Sequence, residues 1–338
     1  MARRKPPKPK RRATRALAGV ALGRGVAMST LKVHMGGVPG YVIAPTGNDT
    51  TGDGTYGNPW ATLGKFYSVA VAGDTLRCRG GTYADTTLAT ASSVGTSGAP
   101  ITVAAYPGET PVFDGGAASG SRGMVFNNGA AYHIVDGLTF QNFIPTSNGV
   151  IVIGFSSEQD TTHHITIRNC TFSARADWTS FEHAIYPSAY NTDVTIEDCV
   201  FLGVWTEGNS SAGINLGSHD PAPGNFLVQR CVFDAWSKGV YISGIDAYGS
   251  ILHNTFTGCE VNVHCYYGHG ALLIRDNVSA PATADIYCQE PYLSDITQDH
   301  NYWDETLTAS PDYGLTAGSS AIDGALDGSD AGWVDYVP

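Results

Sequence analysis

Val194-Thr195-Ile196-Glu197-Asp198-Cys199-Val200-Phe201 reads as a short strand of alternating apolar and polar residues, a polar corner, and an apolar pair. The same line recurs on both sides of it. Upstream stand His133-Ile134-Val135-Asp136-Gly137-Leu138-Thr139-Phe140 and His164-Ile165-Thr166-Ile167-Arg168-Asn169-Cys170-Thr171-Phe172. Downstream stand Phe226-Leu227-Val228-Gln229-Arg230-Cys231-Val232-Phe233, Ser250 to Phe256, Leu272 to Val278, and Ile296 to Trp303. The period is about 22 to 32 residues, which is that of a solenoid whose walls are regular and whose loops vary.

Between these lines runs a second column: Val150-Ile151-Val152-Ile153, Ala184-Ile185-Tyr186-Pro187, Gly213-Ile214-Asn215-Leu216, Gly239-Val240-Tyr241-Ile242, Asn262-Val263-His264-Cys265 and Asp285-Ile286-Tyr287-Cys288. Strand side chains alternate faces. Ile151, Ile185, Ile214, Val240, Val263 and Ile286 are therefore expected inward, and Val152, Tyr186, Asn215, Tyr241, His264 and Tyr287 outward in one column. Coils stacked roughly 4.8 Å apart turn each inward column into a core ladder. Cys170, Cys199 and Cys231 share such a ladder, so buried thiols are expected rather than disulfides.

Composition agrees with an all-β solenoid. Charged residues are 15% of the 338, and glycine is abundant at 41 residues. The charge is unevenly placed: nine of the 19 Lys and Arg lie between Arg3 and Arg24, and no acidic residue precedes Asp49. The rest carries 10 basic against 31 acidic residues, a net charge of −21. An acidic body argues against nucleic acid as its partner. No apolar run approaches 18 residues, so no membrane span is expected. Arg11-Arg12 before Ala16–Leu22 resembles a twin-arginine export signal, but the apolar run is short and Arg24 interrupts it. A retained basic arm is the expectation.

Three regions follow: a basic Pro-rich arm over 1–40, the β-helix with its N-terminal cap over 41–305, and a Gly-, Ser- and Asp-rich closing segment over 306–338. Trp60 to Ala70 has helical spacing, with Trp60, Leu63, Tyr67 and Ala70 on one face, and predicts a short helix capping the first coil.

Tyr41-Val42-Ile43-Ala44-Pro45-Thr46-Gly47-Asn48-Asp49, followed by Asn58 to Leu63, Ala72 to Leu76 and Gly80-Gly81-Thr82-Tyr83, resembles the opening segment of pectate-lyase-like parallel β-helix proteins. Gly95 to Val103, Tyr106 to Glu109 and Asp114-Gly115 continue the likeness, and Gly318 to Gly324 is similar to the closing motif of that group. The resemblance implies a single-stranded right-handed parallel β-helix and a carbohydrate ligand. Lyases of the group use a Lys or Arg base, often with Ca²⁺ held by carboxylates. No dense acidic run here resembles that calcium cluster.

Candidate chemistry gathers near the second column. The column Tyr186, Asn215, Tyr241, His264 and Tyr287 offers flat ring faces and polar tips to a glycan. Lys238 is the candidate lyase base, with Asp220, Asp246 or Asp285 as oxygen ligands should Ca²⁺ take part. Asp220 and Asp246, with Glu182 and Glu290 nearby, are the carboxylates a hydrolase would use. A cofactor-free protein with no metal site is otherwise expected. His163 and His164 are neighbours on a strand and should face opposite sides, and His264 with His269 is the remaining histidine pair weighed for a metal.

Two functions compete at this level. The first is a virion component, from a bacteriophage tail or head surface. Its arm would hold other virion proteins, and its β-helix, a homotrimer in the manner of β-helix spikes, would meet host-surface glycan. The second is a secreted polysaccharide lyase or hydrolase. The arm and the absent calcium motif favour the first; the aromatic column and the resemblance favour the second.

Overall fold

The computed structural model describes residues 40–84, 89–145, 149–154, 161–175, 178, 182–188, 192–206, 210–217, 224–243, 247–266, 270–288 and 296–303. Residues 1–39 of the arm and the whole closing segment 306–338 lie outside these residues. The described chain winds as a right-handed parallel β-helix with three sheets as walls.

The first sheet holds ten strands in order: β1 (Tyr41–Ile43), β2 (Thr75–Cys78), β5 (Ile101–Ala105), β8 (Ala131–Asp136), β11 (His163–Arg168), β14 (Thr192–Glu197), β17 (Gly224–Gln229), β20 (Tyr248–Leu252), β23 (Leu272–Arg275) and β26 (Ile296–Asp299). The second holds β3 (Gly81–Tyr83), β6 (Pro111–Asp114), β9 (Thr139–Gln141), β12 (Thr171–Ser173), β15 (Val200–Leu202), β18 (Val232–Asp234), β21 (Thr255–Thr257) and β24 (Val278–Ser279). The third holds β4 (Ala89–Ala91), β7 (Met124–Phe126), β10 (Gly149–Ile153), β13 (His183–Pro187), β16 (Ala212–Leu216), β19 (Lys238–Ile242), β22 (Val261–Cys265) and β25 (Ala284–Cys288). All pairings are parallel, and Ile185↔Ile214, Val240↔Val263 and Tyr241↔His264 confirm the register expected from the repeats.

The polar corner between the first two sheets is a left-handed bend. Asn169, Asp198, Arg230, His253, Asp276 and His300 all have φ between 49° and 55°. Asn and Asp tolerate this region. Arg230 is held there by Asp198 and Glu197, at 2.7 and 2.9 Å. The residue after the bend turns inward and forms a ladder that changes chemistry along the axis. Cys170, Cys199 and Cys231 give way to Asn254, Asn277 and Asn301, and the backbone N–H of Cys231, Asn254 and Asn277 each donates to the next asparagine's Oδ1 at 2.9–3.1 Å.

The core is dominated by one stack of rings in the second sheet. Tyr83, Phe113, Phe140, Phe172, Phe201, Phe233 and Phe256 follow one another at centroid spacings of 4.7–5.6 Å. Strand spacing sets this distance, so each ring lies face to face with the next. The inward ladder Ile151, Ile185, Ile214, Val240 and Val263 is fully buried.

The N-terminal cap is shorter than its periodicity suggested. The helix spans only Leu63–Tyr67, with Thr62 as its N-cap, and buries Leu63 and Phe66. Trp60 is not helical, because its backbone N–H and C=O are bonded to Val42 and Ala44 beside β1. Its ring stacks on Tyr41 at 4.8 Å.

Candidate functional site

The third sheet carries the candidate site on its outer face. In register, that face presents Val125, Val152, Tyr186, Asn215, Tyr241, His264 and Tyr287. The sequence placed the last five outward in one exposed line. The structure corrects half of it. Val125, Val152 and Tyr186 pack together as a small buried cluster, and Asn215 is 5% exposed. Tyr241 and His264 are half-buried and Tyr287 is 48% exposed. Only the part of the column from Tyr241 onward is accessible.

Behind the covered part lies a polar network that the sequence reading missed. Ala212 N–H donates to His183 Nδ1 at 3.2 Å, so the ring proton of neutral His183 sits on Nε2. The Asn215 amide meets Nε2 at 2.8 Å and Ser243 Oγ at 2.7 Å. A half-turn of that amide puts its oxygen on the Nε2 proton and its Nδ2 on Ser243 Oγ, which then accepts. Burial, with Lys238 nearby, lowers the His183 pKa to about 3. His183 stands at the head of its strand, where Ala212, Lys238 and Val261 follow in register. Those residues share no chemistry, so no sequence pattern marks the position.

Lys238 opens β19 and is half-buried. Its Nζ lies 5.4 Å from the Tyr241 ring centroid and donates to Ser237 Oγ at 3.4 Å. Ser237 Oγ in turn donates to Glu260 Oε2 at 3.0 Å. Desolvation lowers the Lys238 pKa, and the Glu260 charge opposes that shift. Tyr241 and His264 are its aromatic neighbours, and Tyr241, Tyr266 and Tyr287 surround the His264 ring at 4.8–5.9 Å. The arrangement sets a partly desolvated amine beside flat aromatic surfaces.

The carboxylates proposed with Lys238 do not join it as described residues. Asp220 and Asp246, with His219, His269 and Glu290, lie outside the described residues. Asp285 Oδ1 accepts from Asn262 Nδ2 at 2.9 Å and Ser279 Oγ at 3.0 Å. Glu182 is buried. Among the described residues no three His, Cys, Asp or Glu side chains are placed to share a cation. The described donors therefore do not fit a calcium site, and no step is assigned to one.

His163 and His164 correct another expectation. They were to face opposite sides of the sheet, yet their Nδ1 atoms are 2.7 Å apart. His164 has φ of 54°, and this left-handed kink breaks the alternation and swings the rings together. Tyr132, Asp193 and Asn225 repeat the kink in neighbouring coils. The side chains of Tyr132, His164, Asp193 and Asn225 line a cleft of about 460 Å³ together with Ile134 and Leu227 of the first sheet, whereas Lys238 belongs to the third.

Comparison with known proteins places this fold. A search of curated proteins found no match. Among solved structures, pectate lyase Pel9A shares 19% identity over 88% of this chain and 96% of its own, with a TM-score of 0.53. A rhamnogalacturonan lyase shares 16% over 83% and 92%, at 0.44, and XylC in complex with xylose shares 14% over 81% and 71%, at 0.48. At these identities the likeness is one of fold. The family model for the Pel9A-like right-handed β-helix region matches residues 41–259, most of the described helix, and the chain belongs to that family.

Proposed function

We propose that this protein is a polysaccharide lyase acting on a uronate-bearing glycan, with Lys238 as its base. The observation that carries the reading is a half-buried amine of lowered pKa beside the half-buried rings of Tyr241 and His264. Membership of a family with a pectate lyase among its structural relatives supports it. In the reaction, neutral Lys238 would take the proton on the carbon next to the uronate carboxyl. The electron pair left there forms the new C=C bond as the glycosidic C–O bond breaks, and the departing oxygen takes a proton from solvent. A lysine of ordinary pKa is protonated near neutral pH, and desolvation of Lys238 shifts it toward the neutral, basic form. The virion role, its partner proteins and a trimer find no support among the described residues or the relatives, and the arm on which they rested lies outside those residues.

The test is incubation of the full chain with pectate, rhamnogalacturonan and alginate, following the ultraviolet absorbance of unsaturated uronate. Product is expected from at least one, and Lys238→Met should lower kcat by about 10²- to 10⁴-fold. No unsaturated product, or an unimpaired Lys238→Met enzyme, would overturn the proposal.

A further inference from the structure

His264 is buried at both ring nitrogens, and neither has a hydrogen-bond partner. Every other described histidine has at least one polar contact, such as His133 Nε2 on Ser93 O at 2.8 Å. The ring sits in a cage of tyrosines, with centroids of Tyr287 at 4.8 Å, Tyr241 at 5.1 Å and Tyr266 at 5.9 Å. Packing alone would favour an apolar ring here, since an unsatisfied buried polar atom costs stability that a phenyl group would not. An orphaned imidazole beside the candidate base is instead what a binding site looks like before its ligand supplies the missing partners.

The chemistry of that ligand follows from the ring's state. Burial and the charge of Lys238 lower the His264 pKa to about 4, so the ring is neutral at ordinary pH. A neutral imidazole has one N–H to give and one lone pair to fill. A carboxylate only accepts and satisfies one of the two. Hydroxyl groups both donate and accept, and tyrosine faces suit the C–H side of a sugar ring. Resting on the lyase reading for its setting, we propose that His264 is a specificity-determining residue that reads free sugar hydroxyls in a subsite walled by Tyr241, Tyr266 and Tyr287. The glycan this site selects is one whose ring hydroxyls next to the uronate being processed are unsubstituted.

His264→Phe and His264→Gln separate binding from structure. Without glycan, His264→Phe should melt at a higher temperature than the natural protein, because it fills the cage and removes two orphaned atoms. On immobilised polygalacturonate, His264→Phe should lose at least about tenfold in apparent affinity, while His264→Gln, which keeps a donor and an acceptor, stays within a few-fold. Polygalacturonate acetylated at its ring hydroxyls should bind the natural protein about as weakly as the plain polymer binds His264→Phe. Retention that depends on His264 without cleavage would keep this inference and remove the lyase. Cleavage with KM unchanged in His264→Phe would keep the lyase and remove the inference. A lower melting temperature for His264→Phe, or no retention of the natural protein, would also overturn it.

Discussion

Replacing Asn277 by alanine tests whether the asparagine ladder, rather than hydrophobic stacking alone, holds the later coils together. Asn277 is fully buried. Its Oδ1 accepts from Asn254 N at 2.9 Å and Asn254 Nδ2 at 3.0 Å, and its Nδ2 donates to Ile251 O and Arg275 O, each at 3.0 Å. Alanine removes the acceptor of two buried Asn254 N–H groups, the backbone one and one of the pair on Nδ2, whose other still reaches Val228 O at 3.0 Å. At roughly 1–3 kcal/mol for each orphaned group, the loss is about 4 kcal/mol. Cys199 holds the equivalent place three coils earlier, but its weakly polar thiol makes only weak bonds, donating to Glu197 O at 3.2 Å and Ile167 O at 3.7 Å. Its replacement by alanine should cost about 1–2 kcal/mol, close to the loss of a small apolar group. Native-state hydrogen exchange reads the difference at one atom. In Asn277→Ala the Asn254 amide should lose about 10³-fold in protection, the equivalent of 4 kcal/mol at 1.4 kcal/mol per decade. A loss below tenfold there, or equal urea midpoints for Asn277→Ala and Cys199→Ala, would refute the reasoning.

Two further outcomes follow from packing and charge. Gly213→Ala should destabilise by about 1–3 kcal/mol, because its Cβ would lie 2.7 Å from Phe233 Cδ1 inside the ring stack, whereas Gly98→Ala, with nothing within 4 Å, should be neutral by urea denaturation. His183, buried and neutral with a folded pKa of about 3 against about 6.5 when unfolded, makes stability pH-dependent. The unfolded chain binds the extra proton between those values, so this contribution is whole above pH 6.5 and shrinks as the pH falls. The loss reaches about 2–3 kcal/mol by pH 4.5, and His183→Gln should flatten the dependence of the urea midpoint by that amount.

The repeats made the coil architecture legible. A strand whose two faces differ announces its period directly, and the alternation of Val194-Thr195-Ile196 survives in the structure as alternating burial. The inward ladders, the buried thiols and the position of Lys238 beside the column were readable for the same reason. The cap helix was overextended because Trp60 shares the spacing of a helix face while its backbone serves β1. Similarly, His163 and His164 were set apart by an alternation rule that a single left-handed residue cancels.

Sequence by itself thus determined which residues stack on which, since register along a solenoid follows from a repeat that each coil carries within it. It could not decide what covers the outer face. Tyr186 and Tyr241 occupy the same place two coils apart, yet one is buried with Val125 and Val152 and the other borders the accessible site. Nor could it join His183 to Asn215 and Ser243, which meet across three coils only when the corners have folded. Whether a side chain is solvated depends on residues distant in the chain, and that is settled by tertiary packing alone. The isolation of both His264 nitrogens within three tyrosine rings is of this kind.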